Sequence, residues 1–381
     1  MPFGELNEGF ASQPFGLAWQ LQDSDSESFP LQGRFEAMGA AAELSVGPTH
    51  CAAAFKVSSS ALEELTEGVH DLLRTDFRLV EGAAEQSFPE ALEAYHDRAT
   101  IPSVRLEWML AHVFYDAADP RRGILKPPEP VALRPMLLRE LRDRMLRHPG
   151  RVVGFAGDID RAQAEAAAAA FLPPVDRDVG GQARIAALPL VPQAQREPRP
   201  RTYLDQVSQV HLAVAAEGRV CTGLDAVVAS LADAILRDRL YHAIRSRAGA
   251  AYGVSTTGIA APWPVIHSIR TATRADRRDM VVDITLATLG ELGTKGPTEV
   301  EVARAGLTLQ NALASATRSP MRVLERAVDN ELWPSHDDGQ GNLVEHLAAV
   351  DPAAVGAVCA ELFRPERFTT CLLYTSPSPR D

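Results

Sequence analysis

Apolar and polar positions alternate along this chain with two different periods, and the switches between them mark its elements. SSALEELTEGVHDLL (59–73) puts Leu62, Leu65, Val69, Leu72 and Leu73 on one face at helical spacing, behind a Ser60–Glu63 capping box. GDIDRAQAEAAAAAFLPP (157–174) predicts a helix that starts at Asp160, has Gln163 three residues on, and stops at the proline pair. RRDMVVDITLATLGELG (277–293) predicts a helix ended by Gly293, and TEVEVARAGLTLQNALASA (298–316) one opened by a Thr298–Glu301 capping box. HCAAAFKV (50–57), SQVHLAVAA (208–216) and VIHSIRTA (265–272) are strand-like in alternation or β-branching. RVVGFAG (151–157) and RFTTCLL (367–373) are apolar runs of buried-strand type. Strands follow strands and then give way to helices. That order predicts an α+β class with largely antiparallel sheets, not a doubly wound parallel one.

The pattern also repeats. FEAMGAAAELSV (35–46) is an amphipathic segment, a pivot at Gly39, small residues and an apolar stretch. IRSRAGAAYGVS (244–255) has the same grammar around Gly249, 210 residues later. The runs at 151–157 and 367–373 lie 216 residues apart and fit one period with a small insertion. Two related halves follow. We place a first domain at 1–173, an extended Pro/Gly/Arg-rich linker at 174–202 and a second domain at 203–373. The polar Ser/Pro run YTSPSPRD (374–381) continues no pattern and reads as an adaptor-derived tail.

Size and charge narrow the partners. A chain of 381 residues is long enough for two domains. Its net charge of −12 argues against nucleic acid and anionic membrane surfaces, since phosphate binding needs the opposite sign. No apolar run reaches the length of a membrane span, and MPFGELNEGF has neither the basic nor the apolar region of a signal peptide. The compartment stays open between cytoplasm, periplasm and an organelle. Cys51, Cys221, Cys359 and Cys371 lie far apart with no CxxC pair, and read as buried thiols.

Chemistry is sparse. No HxxxH or HxxEH occurs, and the nearest approach, NLVEH (342–346), has Asn342 in place of the first histidine. GVSTTG (253–258) is not the nucleophile pattern GxSxG, and GTKGPT (293–298) lacks the Lys-Ser/Thr ending of a phosphate loop. What stands out is LYHAIRSRAGAAYGVSTTG (240–258), with Arg245 and Tyr252 seven residues apart. The plain reading has Arg245 capping its helix or pairing with a surface acid, and Tyr252 filling half-buried space. The functional reading is electrostatic: a guanidinium fork and a phenol can grip peptide carbonyls or a developing oxyanion, but neither supplies a nucleophile.

LYHAIRSRAGAAYGV resembles the segment of pitrilysin-like (insulinase-type) zinc peptidases in which an Arg and a Tyr at this spacing contact bound peptide. VVGFAGDIDRAQAEAAAAAFLPPV is similar to the end of that family's first domain. GTKGPTEVEVARAGLTLQNALAS is similar to its Gly-x-Thr-x-x-Glu helix, and FEAMGAAAELSVGPTHCAAAFKV to the stretch after its catalytic helix. Together these cover roughly residues 16–373. The resemblance implies two homologous α+β domains, each a largely antiparallel sheet packed with helices, and two subunits closing around a chamber. It also implies zinc held by HxxEH on an early helix, with a distant glutamate completing the site.

The chain departs from the family at that motif. GLAWQLQD (16–23) can be laid over it, and Trp19 then replaces the first histidine, Gln22 the glutamate and Asp23 the second histidine. Glu93 falls where the distant ligand belongs. An indole is a donor only, and a carboxamide takes no proton from water. The resemblance therefore implies no catalytic residue and no zinc in this chain. Arg245 and Tyr252 are the expected substrate-binding residues, with zinc and the catalytic water in a zinc-bearing pitrilysin-like partner. Two other readings stay open: a fragment of a longer single-chain zinc metalloendopeptidase, and a structural subunit of the respiratory-complex core type with no proteolytic role.

Overall fold

The computed structural model describes residues 35–46, 51–74, 89, 92–93, 95–117, 119, 121–122, 140, 143, 146–147, 151–172, 189–196, 201–203, 209–332, 347 and 350–374. In chain order, Ala41–Val46 (β1) and Cys51–Lys56 (β2) form an antiparallel pair with Ala41 opposite Lys56. Leu62–Arg74 (α1) follows, with Leu65 and Val69 buried as the 3.6-residue period requires. Its predicted capping box does not form. Ser59–Ala61 make a 3-10 turn instead, and Ser60 Oγ lies 2.9 Å from Ser58 Oγ. Pro102–Phe114 (α2) comes next, then Arg161–Phe171 (α3). In α3 the Asp160–Gln163 box closes as predicted, each side chain bonded to the other residue's backbone N–H at 2.8 and 2.9 Å.

Residues 151–156, read as a buried strand, carry no strand pairing among the described residues. An apolar run becomes a strand only if a ladder partner is present. Here Gly154 lies close against a helix: a Cβ at that position would come 2.5 Å from Leu324 Cδ1.

The second half is built around a five-stranded sheet. Arg201–Tyr203 (β3), Val210–Glu217 (β4), Ala251–Thr257 (β6), Ile266–Thr273 (β8) and Thr369–Tyr374 (β9) lie in the order β3-β9-β4-β8-β6. The short strands Arg219–Val220 (β5) and Ala260–Ala261 (β7) pair separately. Every pairing in the large sheet is antiparallel except β3 with β9. The predicted α+β class with largely antiparallel sheets therefore holds. Tyr374, which the sequence grouped with the polar tail, ends β9, and its hydroxyl accepts from Arg278 Nη1 at 2.8 Å.

β4 is almost continuously apolar because both its faces are covered. On one side lie Gly223–Leu240 (α4), Arg278–Lys295 (α5), Glu299–Ala316 (α6) and, after Pro320–Leu332 (α7), Pro352–Leu362 (α8). Leu231, Ile235 and Leu236 of α4 meet Val355 and Leu362 of α8 over Leu212, Val214 and Ile269 of the sheet. On the other side α2 covers Ala213, Ala215, Cys371 and Leu373 with Leu106, Leu110 and Phe114. The described elements thus fall into two compact units that do not follow chain order. β1, β2, α1, α3 and α7 belong to one, and the remaining strands and helices, α2 included, to the other. Leu190, within the predicted linker, is buried in the second unit's core.

Gly293 does not end its helix. α5 runs on to Lys295 and is capped by Gly296 at φ 69°. Gly293 is needed for closeness instead, since a Cβ there would lie 2.5 Å from Phe363 O. Beyond Gly296 the Thr298–Glu301 capping box forms as predicted and carries a further load. Glu301 Oε1 accepts from Arg239 Nε at 2.7 Å and Oε2 from Arg239 Nη2 at 2.8 Å, while the same Nη2 reaches Gly296 O at 3.2 Å. One carboxylate so caps α6 and pins it to the end of α4.

The Arg239 guanidinium, helped by the Thr298 donors, draws the Glu301 carboxyl from an ordinary 4.5 down to about 2. A depressed carboxyl contributes stability above its unfolded value and loses it as pH falls towards the folded one. Glu301→Gln should therefore cost about 1–2 kcal/mol at pH 7 by denaturant titration. The wild-type advantage should shrink as pH falls from about 4.5 towards 2.

Candidate functional site

The segment that carries Arg245 and Tyr252 is built by a change of helical pitch followed by a reversal. α4 passes without a break into a π-helical turn, Tyr241–Arg247. Such widened turns are uncommon and often mark functional positions. The turn ends at Gly249, which adopts φ 55° and leaves its would-be Cβ in open space. The Gly249 N–H bonds Arg245 O at 3.2 Å and the Ala250 N–H bonds Ile244 O at 3.0 Å, and β6 starts at Ala251. The same reversal occurs at Gly39, with φ 65°, the Ala40 N–H on Phe35 O at 2.8 Å, and β1 starting at Ala41. Here the repeat seen in sequence is a repeat of backbone geometry, since both glycines take a conformation that side chains disfavour.

The reversal brings the two residues together. Arg245 Nη1 donates to Tyr252 O at 2.6 Å, and its guanidinium lies 5.4 Å from the Tyr241 ring centroid and 5.7 Å from that of Tyr252. The cation is so held between two aromatic rings, a favourable arrangement even in partial contact with water. Tyr252 is 86% exposed and Arg245 is exposed as well. The plain reading of the sequence, a half-buried tyrosine and an arginine paired with a surface acid, does not describe them. Among the described residues Arg245 has no carboxylate partner.

Among the described residues β6 is an edge of the sheet, paired only with β8. Its register slips between Ala251 and Val254, so Tyr252 and Gly253 stand out of the regular ladder. Thr271 Oγ1 donates to Gly253 O at 2.6 Å and steadies the bulge, and a Cβ at Gly253 would meet nothing within 4 Å. The strand's main chain is thereby open to an approaching extended chain.

Beneath this face lies a group that sequence reading missed. Asp233, inside the apolar run VVASLADAIL of α4, accepts from Thr256 Oγ1 at 2.6 Å through Oδ2, and its Oδ1 lies 3.1 Å from His267 Nε2. All three are buried, with His267 at 1% exposure against the rings of Phe363 and Phe368. The trio ties α4, β6 and β8 together. An acid in the middle of an apolar helical stripe was the available signal. Tyr241, the second ring on Arg245, was also missed, because a helical tyrosine carries no signal of its own.

Trp19, Gln22 and Asp23 lie outside the described residues, as does the NLVEH segment. Glu93 is exposed in a helical stretch. Among the described residues no three His, Cys, Asp or Glu side chains gather as a metal would need. The donor set at 19, 22 and 23 does not fit zinc, since indole and carboxamide replace imidazole and carboxylate. The thiols offer no substitute: burial pushes Cys359 up to about 12 and raises Cys221 as well, so neither is reactive at neutral pH.

Residues 137–309 match the model of the peptidase M16 inactive domain. That match spans 173 of the chain's 381 residues and is consistent with a zinc-less relative of the pitrilysin-like (M16) peptidases. Several solved structures share its fold. A peptidase M16 inactive domain from Pseudomonas fluorescens superposes with a TM-score of 0.75 at 15% identity, covering 99% of this chain and 89% of that one. A protease from Helicobacter pylori gives 0.73 at 12%, covering 96% and 89%. A chain of complex III2 from Candida albicans with Inz-5 bound gives 0.69 at 12%, covering 96% and 87%. At these identities the likeness is one of fold. No curated protein matches the sequence.

The geometry separates the exposed pair from the buried trio by their effect on stability. Tyr252→Ala should change unfolding free energy by less than about 0.5 kcal/mol, because the ring is solvated. Asp233→Ala should cost about 2–4 kcal/mol, because it strands a buried hydroxyl and imidazole. Urea unfolding of the two variants beside wild type checks both.

Proposed function

We propose that this chain is a non-catalytic subunit of a pitrilysin-like zinc peptidase. It forms half of the proteolytic chamber and grips the peptide through Arg245 and Tyr252, while a zinc-bearing pitrilysin-like partner supplies the metal and the water. The match of residues 137–309 to the inactive-domain model and the unsuitable donors at 19, 22 and 23 support the absence of chemistry in the chain itself. The observation that carries the grip is the exposed Tyr241–Arg245–Tyr252 stack beside an open sheet edge.

An extended peptide laid along β6 pairs its main chain with the strand, the mode by which sheet edges take up peptides. Arg245 spends one donor on Tyr252 O and keeps the others of its fork for peptide carbonyls, and the Tyr252 hydroxyl adds one more. The carbonyl bond and the two rings hold the guanidinium in place before a peptide arrives, so little side-chain freedom is lost on binding. The chain thus positions a peptide bond for a neighbour's zinc and hydrolyses nothing alone.

A purely structural role of the core-subunit type is the second reading, favoured by the shared fold with a complex III2 chain. The two separate at Arg245. In a reconstituted complex with the zinc-bearing subunit, Arg245→Ala should lower kcat/KM for peptide cleavage by about ten- to a hundredfold. Wild-type turnover in that variant complex sinks the gripping role and leaves the structural one.

A further inference from the structure

The segment that builds the site has a charge balance opposite to that of the chain. Residues 241–279 contain six arginines and two acids, in a protein whose net charge is −12. Three of the six are matched. Arg270 Nη1 lies 2.6 Å from Glu107, Arg274 Nε 3.0 Å from Asp276, and Arg278 Nη2 2.6 Å from Asp279. That accounts for both acids of the segment.

The other three, Arg245, Arg247 and Arg277, have no carboxylate partner among the described residues, and all three belong to one turn. Arg245 and Arg247 lie in the π-helical turn that ends at it. Arg277 comes to it from the 3-10 turn Ala275–Arg277 ahead of α5, donating through Nη1 to Ala248 O at 3.2 Å and Gly249 O at 2.9 Å. Arg247 is exposed, and the nearby Glu291 that feels its charge is held by Lys295 at 3.0 Å. Carbonyls at a helix C-terminus attract cations, which explains one arginine there. The acids that feel this charge, Asp276 beside Arg277 and Glu291 near Arg247, are already paired with Arg274 and Lys295, so the three guanidiniums exceed what that end of the helix requires and repel one another until an anion arrives.

We propose that the peptide held at this site is acidic, with a carboxylate side chain taken up at the Ala248–Gly249 turn by Arg245 and Arg247 in the field of Arg277. This rests on the peptide-gripping role given to Arg245 and Tyr252, and adds the chemical class of what is gripped. Planar guanidiniums suit carboxylates because they donate two parallel bonds. The surrounding negative charge of the chain then works as a filter: acidic peptide is repelled elsewhere and retained at this turn.

Isothermal titration calorimetry on the full chain tests this with three end-blocked peptides of one length and one apolar framework. Three positions carry Glu in the first, Gln in the second and Lys in the third. The Glu peptide should bind about three- to tenfold more tightly than the Gln peptide, and the Lys peptide most weakly. Raising salt from about 20 mM to about 500 mM should erase most of that difference, because exposed charges are screened. Arg247→Gln, which breaks no observed contact, should bring the Glu-to-Gln ratio towards one.

Equal binding of all three peptides, weakened equally by Arg245→Ala, overturns the acidic preference and leaves the grip intact. Tighter binding of the Lys peptide also overturns the preference. Absence of binding by all three at millimolar concentration overturns both readings.

Discussion

Asp233 sits in an apolar interior between a helix and a sheet, where a carboxylate is tolerable only if its oxygens are occupied. Thr256 takes one and His267 the other, so the acid can satisfy itself in a single arrangement of α4, β6 and β8. That arrangement is the one the site needs. α4 carries the π-helical turn and Arg245, and β6 carries Tyr252. A neutral core contact at this point would allow the helix to slide or β6 to shift its register. A buried, directional one does not. The exposed pair on the surface is therefore positioned from below.

The second constraint acts at the end of α4, just before the π-helical turn. Arg239, three residues beyond the apolar stretch that seats the helix, is clamped by Glu301, which at the same time caps α6. The Gly-x-Thr-x-x-Glu pattern so has a physical content. Gly296 turns the chain out of α5 with a left-handed backbone, Thr298 caps the next helix, and Glu301 both completes the cap and anchors the neighbour. The three positions work as a unit, each depending on the geometry set by the others.

The features that bear on the proposed role lie at the surface and along an edge among the described residues. Burial raises the Cys359 and Cys221 thiols away from reactivity, and the described residues offer no metal cluster. They offer a cation between two rings, an open strand and an excess of positive charge at one turn. That set suits binding and orienting a peptide, as the proposed role requires. A peptide-binding half that depends on a neighbour's chemistry accords with what is present.

Much of this was legible in the sequence because it is local. Capping boxes at Asp160–Gln163 and Thr298–Glu301, the strands from 210 and 266, the glycine pivots 210 residues apart and the Arg245–Tyr252 spacing all follow from short-range geometry that one stretch of chain dictates. What failed was decided by neighbours distant in sequence. Residues 151–156 look like a strand but have no ladder partner among the described residues, and Gly293 looks like a helix end but marks a close approach to Phe363. The half-buried tyrosine of the plain reading is almost fully solvated. The buried trio could be suspected only from an acid among apolar residues, because a hydrogen bond between residues 233, 256 and 267 exists only once the helix lies on the sheet. Sequence fixes which groups are available and which turns the backbone can make. Packing alone decides which of those groups meet, which strand is left as an edge, and which charges find no partner.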